Sequence, residues 1–74
     1  MAEDELHNTI KVLRAMRDLT QADLADRAGT TRKSVTAIET GRMVPSVVLA
    51  LKLARALGVT VDTIFSIGEK HETS

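Results

Sequence analysis

The feature that most constrains this chain is the segment from residue 21 to residue 40, in which two short runs of helical periodicity flank a sharp turn. Apolar residues recur three and four positions apart on either side of Gly29, a spacing that places them on one face of a helix. Gly29 tolerates unusual backbone angles at the bend, and Ala25 is small enough for two helix backbones to approach closely. The segment therefore predicts two short helices that meet at a steep angle through a three-residue turn.

Helical periodicity extends over most of the remaining chain, and strand signals are absent. The sequence holds one aromatic residue and no alternating β-branched run. Serine or threonine precedes each of the later helices, where its hydroxyl can accept a hydrogen bond from a first-turn amide, and glycine follows three of the five. We therefore predict a compact all-α domain of five helices, spanning about residues 8–17, 20–28, 31–40, 46–57 and 60–65.

The apolar stripe on each helix predicts the side chains of the core. They are Ile10, Leu13, Met16, Leu24, Ala25, Ala28, Val35, Ile38, Val47, Ala50, Leu53, Ala54 and Leu57. Ile64 and Phe65 are expected to close the core behind the last helix. The folded domain should span residues 8–67, between a flexible acidic N-terminus over residues 1–7 and a flexible C-terminus over residues 68–74.

Composition excludes several classes of protein. There is no cysteine for a disulfide, and His7 and His71 lie near opposite ends of the chain, so we expect two surface histidines, no metal site and no cofactor. The longest apolar run, residues 47–51, is far shorter than the roughly 20 residues that cross a bilayer. The acidic first residues are unlike a signal peptide, and we expect a cytoplasmic protein.

The formal net charge is zero, yet the charge is unevenly divided. Between residues 7 and 68, nine lysines and arginines outnumber five aspartates and glutamates, whereas both ends are acidic. A basic folded part suits a polyanionic partner such as nucleic acid. The outward side of the third helix carries Arg32 and Lys33, which can bind guanine acceptors in a major groove, and Thr36 and Ala37, whose methyl groups can contact thymine.

Short motifs stand in register along the chain, namely Leu13-Arg14, Leu19-Thr20-Gln21, Asp23-Leu24-Ala25, Ala28-Gly29, Ile38-Glu39-Thr40-Gly41, Pro45-Ser46 and Leu53-Ala54-Arg55-Ala56-Leu57-Gly58-Val59. With them the chain resembles the phage-repressor family of helix-turn-helix proteins, the Cro/CI or xenobiotic-response-element-like regulators. The resemblance implies a lambda-repressor-like domain whose helix-turn-helix is formed by the second and third helices. It also implies a sequence-specific, double-stranded DNA-binding transcriptional regulator, and we expect a repressor because no activation or effector domain fits in the chain.

The resemblance further implies which side chains contact DNA. Helix N-termini suit phosphates, because free amides and the helix dipole point there. The implied contacts are phosphates for Gln21, Thr31 and Arg42, and base edges for Arg32, Lys33, Thr36 and Ala37. Glutamine is frequent among the family's base-reading residues, whereas this chain has Arg32 and Lys33, so we expect guanine contacts rather than adenine contacts.

Arg14 and Glu39 suggest an active site at first sight, but their role is read as structural. In similar proteins the matching pair forms a largely buried ion pair that joins the first helix to the end of the third. No nucleophile, base and orienting residue are grouped elsewhere, and there is no glycine-rich phosphate loop. The chain is therefore not expected to be an enzyme.

The fourth helix carries more apolar surface than one core stripe needs. Val48 and Leu49 stand where similar proteins often have polar residues, and Ile67 follows the last helix. With Met43 and Val44, they are predicted to form the interface of a homodimer. Two-fold symmetry would then place two recognition helices about 34 Å apart on a near-palindromic site.

Two other hypotheses stay open at this stage. The same fold serves in protein-interaction modules, antitoxin-like or adaptor proteins, that would hold a toxin or another regulator through the apolar residues or the acidic ends. The acidic N-terminal arm, residues 1–6, is also a candidate to compete with DNA for the basic face.

Overall fold

The computed structural model describes residues 4–69, and the side chains of residues 5–68. In chain order the elements are β1 (Asp4–Asn8), α1 (Ile10–Met16), α2 (Gln21–Ala28), α3 (Arg32–Glu39), α4 (Val47–Leu57), α5 (Val61–Ile64) and β2 (Phe65–Glu69). The five helices predicted from periodicity are all present, with ends that differ by up to two residues from the prediction. None of the helices in this part of the chain has the length and apolar character needed to span a bilayer.

The helix boundaries follow from capping. The hydroxyls of Thr20, Thr31 and Ser46 each accept a hydrogen bond from the backbone N–H three residues on, at 3.0–3.1 Å. At α2 the Asp23 carboxylate also accepts from the Thr20 N–H at 3.0 Å, which completes a capping box. Glycine ends α2 and α4 in the left-handed conformation, with φ of 71° at both sites. Local chemistry thus sets where α2, α3 and α4 begin and where two of them end.

One apolar core holds the helices together. α2 packs against both α3 and α4, and α5 packs against α4. The largest side chains that are fully buried are Ile10, Leu24, Val35, Ile38, Leu53, Leu57 and Ile64. Phe65 is also buried, so the prediction that Ile64 and Phe65 close the core is confirmed. Because Val35 and Ile38 are the buried residues of α3, this helix is fixed by one side and exposes the other.

Two predicted core residues lie at the surface. Met16 is 72% exposed and Val47 is 76% exposed. Met16 is the last residue of α1 and Val47 is the first of α4, so both follow the apolar stripe of their helix but lie beyond the elements that cover it. Periodicity indicates a face of a helix, whereas burial also depends on how far the neighbouring elements extend.

The prediction that the chain forms no strands is wrong. β1 and β2 pair in antiparallel register from Asp4 opposite Glu69 to Asn8 opposite Phe65. The expected flexible N-terminus is therefore a paired strand over residues 4–7, and residues 68 and 69 are paired as well, whereas residues 1–3 and 70–74 lie outside the described residues. Each strand has five residues, too few for a clear alternating pattern, and the pairing joins opposite ends of the chain.

The base of this two-stranded ribbon is bonded to the helices. The Asn8 Nδ2 donates to the Ile38 carbonyl at 3.1 Å, while the Asn8 Oδ1 accepts from the Ile10 N–H at 3.1 Å. The Thr9 N–H donates to the Ile64 carbonyl at 2.9 Å. One asparagine thus bonds both to the first residue of α1 and to the last turn of α3.

Substitutions in α1 test which of its residues belong to the core. Leu13→Ala should lower the free energy of unfolding by about 2–5 kcal/mol, because Leu13 is 7% exposed and its removal leaves a cavity. Met16→Ala, on the same helix, should change it by less than about 0.5 kcal/mol. Urea unfolding followed by circular dichroism measures both. Equal losses would show that Met16 is buried as the sequence predicts.

Candidate nucleic-acid interface

The outward face of α3 borders an open groove of about 530 Å³. The groove is lined by Arg32, Lys33, Thr36, Ala37, Thr40 and Arg42. These residues include three cations and no anion, so the groove is positively charged. Five of the seven residues predicted to contact DNA meet here. Four of them lie on α3 and face the groove because the opposite side of the helix is buried in the core, and the fifth, Arg42, follows the helix.

Thr40 lies in this lining, although the sequence analysis does not single it out. Its hydroxyl donates to the Thr36 carbonyl at 2.9 Å, and its side chain is exposed. Positions 33, 36 and 40 are three and four residues apart, so the helical spacing that placed Lys33 and Thr36 outward also included Thr40. The helical repeat was therefore an available signal for it.

Arg42 reaches the groove through a turn at the end of α3. Gly41 has a φ of 79°, a conformation that favours glycine. The Arg42 N–H then donates to the Ala37 carbonyl at 2.8 Å, which folds the chain back against the helix. This turn adds a third cation to the two that α3 itself supplies.

A second groove, of about 570 Å³, lies beside the N-terminus of α2. It is lined by Arg14, Asp18, Leu19, Thr20, Gln21, Ala22 and Arg32. Because Arg32 borders both grooves, the start of α2 and the outward face of α3 form one continuous surface. Thr31 lines neither groove: it is exposed at the start of α3, where its hydroxyl caps the helix and also contacts the Ser34 Oγ at 3.1 Å.

The side chain of Gln21, which is predicted to contact a phosphate, forms hydrogen bonds within the protein. Its side chain is half-buried, and both ends of the amide are bonded within the protein. The Gln21 Nε2 donates to the Glu39 Oε1 at 3.1 Å, and the Gln21 Oε1 accepts from the Thr36 Oγ1 at 2.7 Å. The Nε2 group has a second proton, so a phosphate contact is open to the side chain as well as to the backbone N–H, but the side chain is already held by Thr36 and Glu39. The sequence does not reveal this, since both partners come from another helix.

Arg14 and Glu39 form an ion pair beneath this surface. The Arg14 Nε donates to the Glu39 Oε2 at 2.6 Å, and Nη2 donates to Oε1 at 3.2 Å, so the contact is bidentate. The Arg14 Nη1 donates to the Leu19 carbonyl at 2.9 Å. The side chains are 14% and 7% exposed, respectively. The pair thus joins α1 to the end of α3 and to the segment that leads into α2.

The charge state of Glu39 follows from its partners. Burial alone would raise the pKa of this carboxyl, but hydrogen bonds from Arg14 and Gln21, together with the positive charge of Arg14, outweigh it. The pKa of Glu39 therefore lies below its ordinary value. The carboxylate is ionised at neutral pH and hydrogen-bonded at both oxygens, an arrangement that serves structure rather than proton transfer.

The residues predicted for a dimer interface have unequal exposure. Val48 is 62% exposed and Ile67 is 70% exposed, whereas Leu49 is half-buried and packs partly against the core. Ile67 pairs with Leu6 across the ribbon. Leu6 in turn borders a groove of about 310 Å³ together with Met43 and Val44, which precede α4.

Metal chemistry has no support in the part of the chain that the structure describes. Among the side chains of residues 5–68, no three histidines, aspartates or glutamates converge as ligands. His7 is exposed on β1, and His71 lies outside the described residues.

A helix-turn-helix family model matches residues 10–64 of this chain. An HTH-type transcriptional regulator of Methanocaldococcus jannaschii is 43% identical over 60 residues, which are 81% of this chain and 91% of that protein. The HTH-type transcriptional regulator YgzD of Bacillus subtilis is 38% identical over 66 residues, which are 89% of this chain and all of that protein. Both similarities extend well beyond the segment of α2 and α3.

Solved structures show the same similarity. The restriction-modification controller protein C.AhdI from Aeromonas hydrophila superposes with a TM-score of 0.70 at 35% identity, over 73% of this chain and 82% of that one. The hypothetical transcription factor NHTF from Neisseria superposes with a TM-score of 0.69 at 30% identity, over 73% of this chain and 62% of that one.

Acid unfolding tests the ion pair. Because the pKa of Glu39 is lowered by folding, its contribution to stability is complete above its ordinary pKa of about 4.5 and is lost as the pH falls through the lower folded value. Glu39→Gln should therefore lower the free energy of unfolding by about 3–5 kcal/mol near pH 7, because it leaves the charge of Arg14 without its partner. The difference from wild type should shrink below about pH 4.5.

Urea unfolding over this pH range measures the effect, with Asp26→Asn as the control because Asp26 is an exposed carboxylate of α2. The control should cost little at either pH. A loss for Glu39→Gln that is constant from neutral to acidic pH would contradict this account of the pair.

Proposed function

This chain belongs to the helix-turn-helix family of DNA-binding transcriptional regulators, and from that membership we propose that it is a homodimeric, sequence-specific repressor that inserts α3 into the major groove of a near-palindromic operator. The family is a DNA-binding class without enzymatic activity. The single observation that carries the proposal is the groove on the outward face of α3, which three cations and no anion line.

Base recognition is assigned to the side chains of α3 that line the groove. Arg32 and Lys33 have long, cationic side chains that reach the O6 and N7 acceptors of guanine. Ala37 and the methyl group of Thr36 would contact the methyl group of thymine. All four residues line the same groove. An operator half-site that contains guanine next to an A·T pair suits this arrangement.

Phosphate contacts are assigned to the edges of the same surface. Arg42 extends the basic groove beyond the end of α3. Thr31 stands exposed at the start of α3, and the backbone N–H of Gln21 lies in the first turn of α2. Phosphates are favoured at such helix starts, where amides lack intrahelical partners and the helix dipole is positive. These contacts would orient α3 in the groove without reading sequence.

Homodimer formation is supported by apolar side chains that the core does not cover. Val48 lies on α4 with Val47 and Leu51, which are 76% and 55% exposed. Val44 before α4, together with Leu6 and Ile67 of the ribbon, adds more exposed apolar surface. We assign Val48, the exposed part of Leu49 and Ile67 to the interface. A second copy that buries this surface would present a second α3 to the next turn of the duplex.

Repression is the simplest mode of action for such a dimer. A protein bound across a promoter blocks polymerase by occupancy, and that requires no surface beyond the DNA-binding domain. One similar solved structure is a restriction-modification controller protein, which supports a regulatory role for this chain. We place the activity in the cytoplasm, where the DNA of bacteria and archaea lies.

DNA titrations separate the two kinds of contact. Arg32→Ala should weaken binding to the operator by about 1–3 kcal/mol and relax the base preference at one base pair, because it removes a base contact. Arg42→Ala should weaken binding to operator and scrambled duplexes alike and reduce the slope of log K against log salt by about 1. Fluorescence anisotropy with both duplexes at several salt concentrations measures these effects. A wild-type protein that binds no duplex at low salt would contradict the proposed function.

The dimer is tested by charge at the apolar surface of α4. Val48→Lys should raise the dimer dissociation constant at least about a hundredfold, since in a two-fold dimer one substitution removes the burial of two valines. Val12→Lys is the matched control, because Val12 is 60% exposed on α1. Sedimentation equilibrium measures both.

A dimer that survives Val48→Lys would place the interface elsewhere. A wild-type protein that remains monomeric at every concentration, but copurifies in a fixed ratio with another polypeptide, would favour the antitoxin-like or adaptor function instead.

A further inference from the structure

Four side chains form one line of hydrogen bonds from α1 to the DNA-facing groove. Arg14 donates to Glu39, Gln21 donates to Glu39 at 3.1 Å, and Thr36 donates to Gln21 at 2.7 Å. The ionised carboxylate of Glu39 can only accept hydrogen bonds. The amide nitrogen of Gln21 must therefore face Glu39, so its carbonyl oxygen faces Thr36. The half-buried ion pair thus sets the direction of every hydrogen bond up to the groove.

The end of this line bears on recognition, because Thr36 lines the groove that we assign to the bases. A threonine hydroxyl has one proton to donate and lone pairs that accept. The Thr36 hydroxyl uses that proton in a hydrogen bond to the Gln21 Oε1, at an Oγ1–Oε1 distance of 2.7 Å. We propose that Gln21 is a positioning residue that sets specificity, because it leaves the Thr36 hydroxyl able to accept a hydrogen bond from a base but unable to donate one. The inference rests on the proposed insertion of α3 into the major groove.

The bases that such a hydroxyl selects follow from the edges exposed in the major groove. Adenine N6 and cytosine N4 are the amino donors there, whereas guanine O6 and thymine O4 are acceptors. A hydroxyl that only accepts is compatible with an amino group and leaves a carbonyl at the same place unpaired. The base that faces the Thr36 hydroxyl should therefore carry an amino group. It is adenine if Thr36 faces the A·T pair proposed above, and cytosine if it faces a G·C pair instead.

The alternative is that Gln21 only holds α2 against α3. Both roles predict a change in stability when Gln21 is altered, so stability does not distinguish them. Base preference at the one pair opposite Thr36 does, because a purely structural contact weakens binding to all duplexes alike.

Selection of bound duplexes from a random pool tests the proposal with three variants of the full chain. Thr36→Val keeps the shape but removes the hydroxyl, and should lose about two- to tenfold of the preference for the amino-bearing base at one pair in each half-site. Gln21→Met removes the acceptor for the Thr36 hydroxyl, which can then donate a hydrogen bond to a base. The preference at that same pair should therefore move toward guanine or thymine. Thr40→Val removes another hydroxyl of the groove, and should leave that pair unchanged.

A base analogue supplies a second test that needs no change at Gln21. Replacing the selected adenine by unsubstituted purine, or the selected cytosine by 2-pyrimidinone, removes the amino group. It should weaken wild-type binding about two- to tenfold and leave Thr36→Val unaffected.

The outcomes separate the inference from the proposed function. Two results would overturn the role of Gln21 and leave the DNA-binding function standing. In the first, wild type and variants bind an operator with the same base preference. In the second, the base analogue lowers the affinity of wild type and of Thr36→Val equally. If the wild-type protein selects no duplex, the proposed function itself fails.

Discussion

The bidentate contact between Arg14 and Glu39 is the interaction on which the arrangement of the helices most depends. Three separate parts of the chain meet at it, namely α1, the end of α3 and the segment before α2. Apolar packing alone allows neighbouring helices to slide or rotate, because it has little directionality. A charged pair with fixed geometry permits one arrangement. The orientation of α3, and with it the direction of the Arg32 and Lys33 side chains, thus depends on a contact outside the lining of the groove.

The helix α3 shows how a short element serves two demands. Its eight residues carry Val35 and Ile38 on the buried side and basic and small polar residues on the other. The polar network of Gln21, Thr36 and Glu39 lies between these two sides, where it is half-buried. The network therefore joins the part of the helix that determines stability to the part assigned to recognition. A substitution in one part is expected to affect the other.

Local sequence predicts local structure in this protein, and the surprises come from distant partners. Thr20, Thr31 and Ser46 predict helix starts because a cap bonds three residues on. Gln21 could not be understood in the same way, since Thr36 and Glu39 are 15 and 18 positions away. The ribbon was missed for the same reason, as its strands stand at opposite ends of the chain. The outward residues of α3 were predictable because the core fixes the opposite face.

The ribbon also changes the topology of the molecule. Asp4 lies opposite Glu69, so the described chain enters and leaves the domain at one place and forms a nearly closed loop of backbone. Because the paired strands lie at both ends of the described residues, the strands must separate before the helices can unfold from either end. Because Asp4 and Glu69 are paired, a short peptide linker between these two residues would make the described part of the chain circular. New ends could then be opened in a loop between two helices without changing how the helices pack.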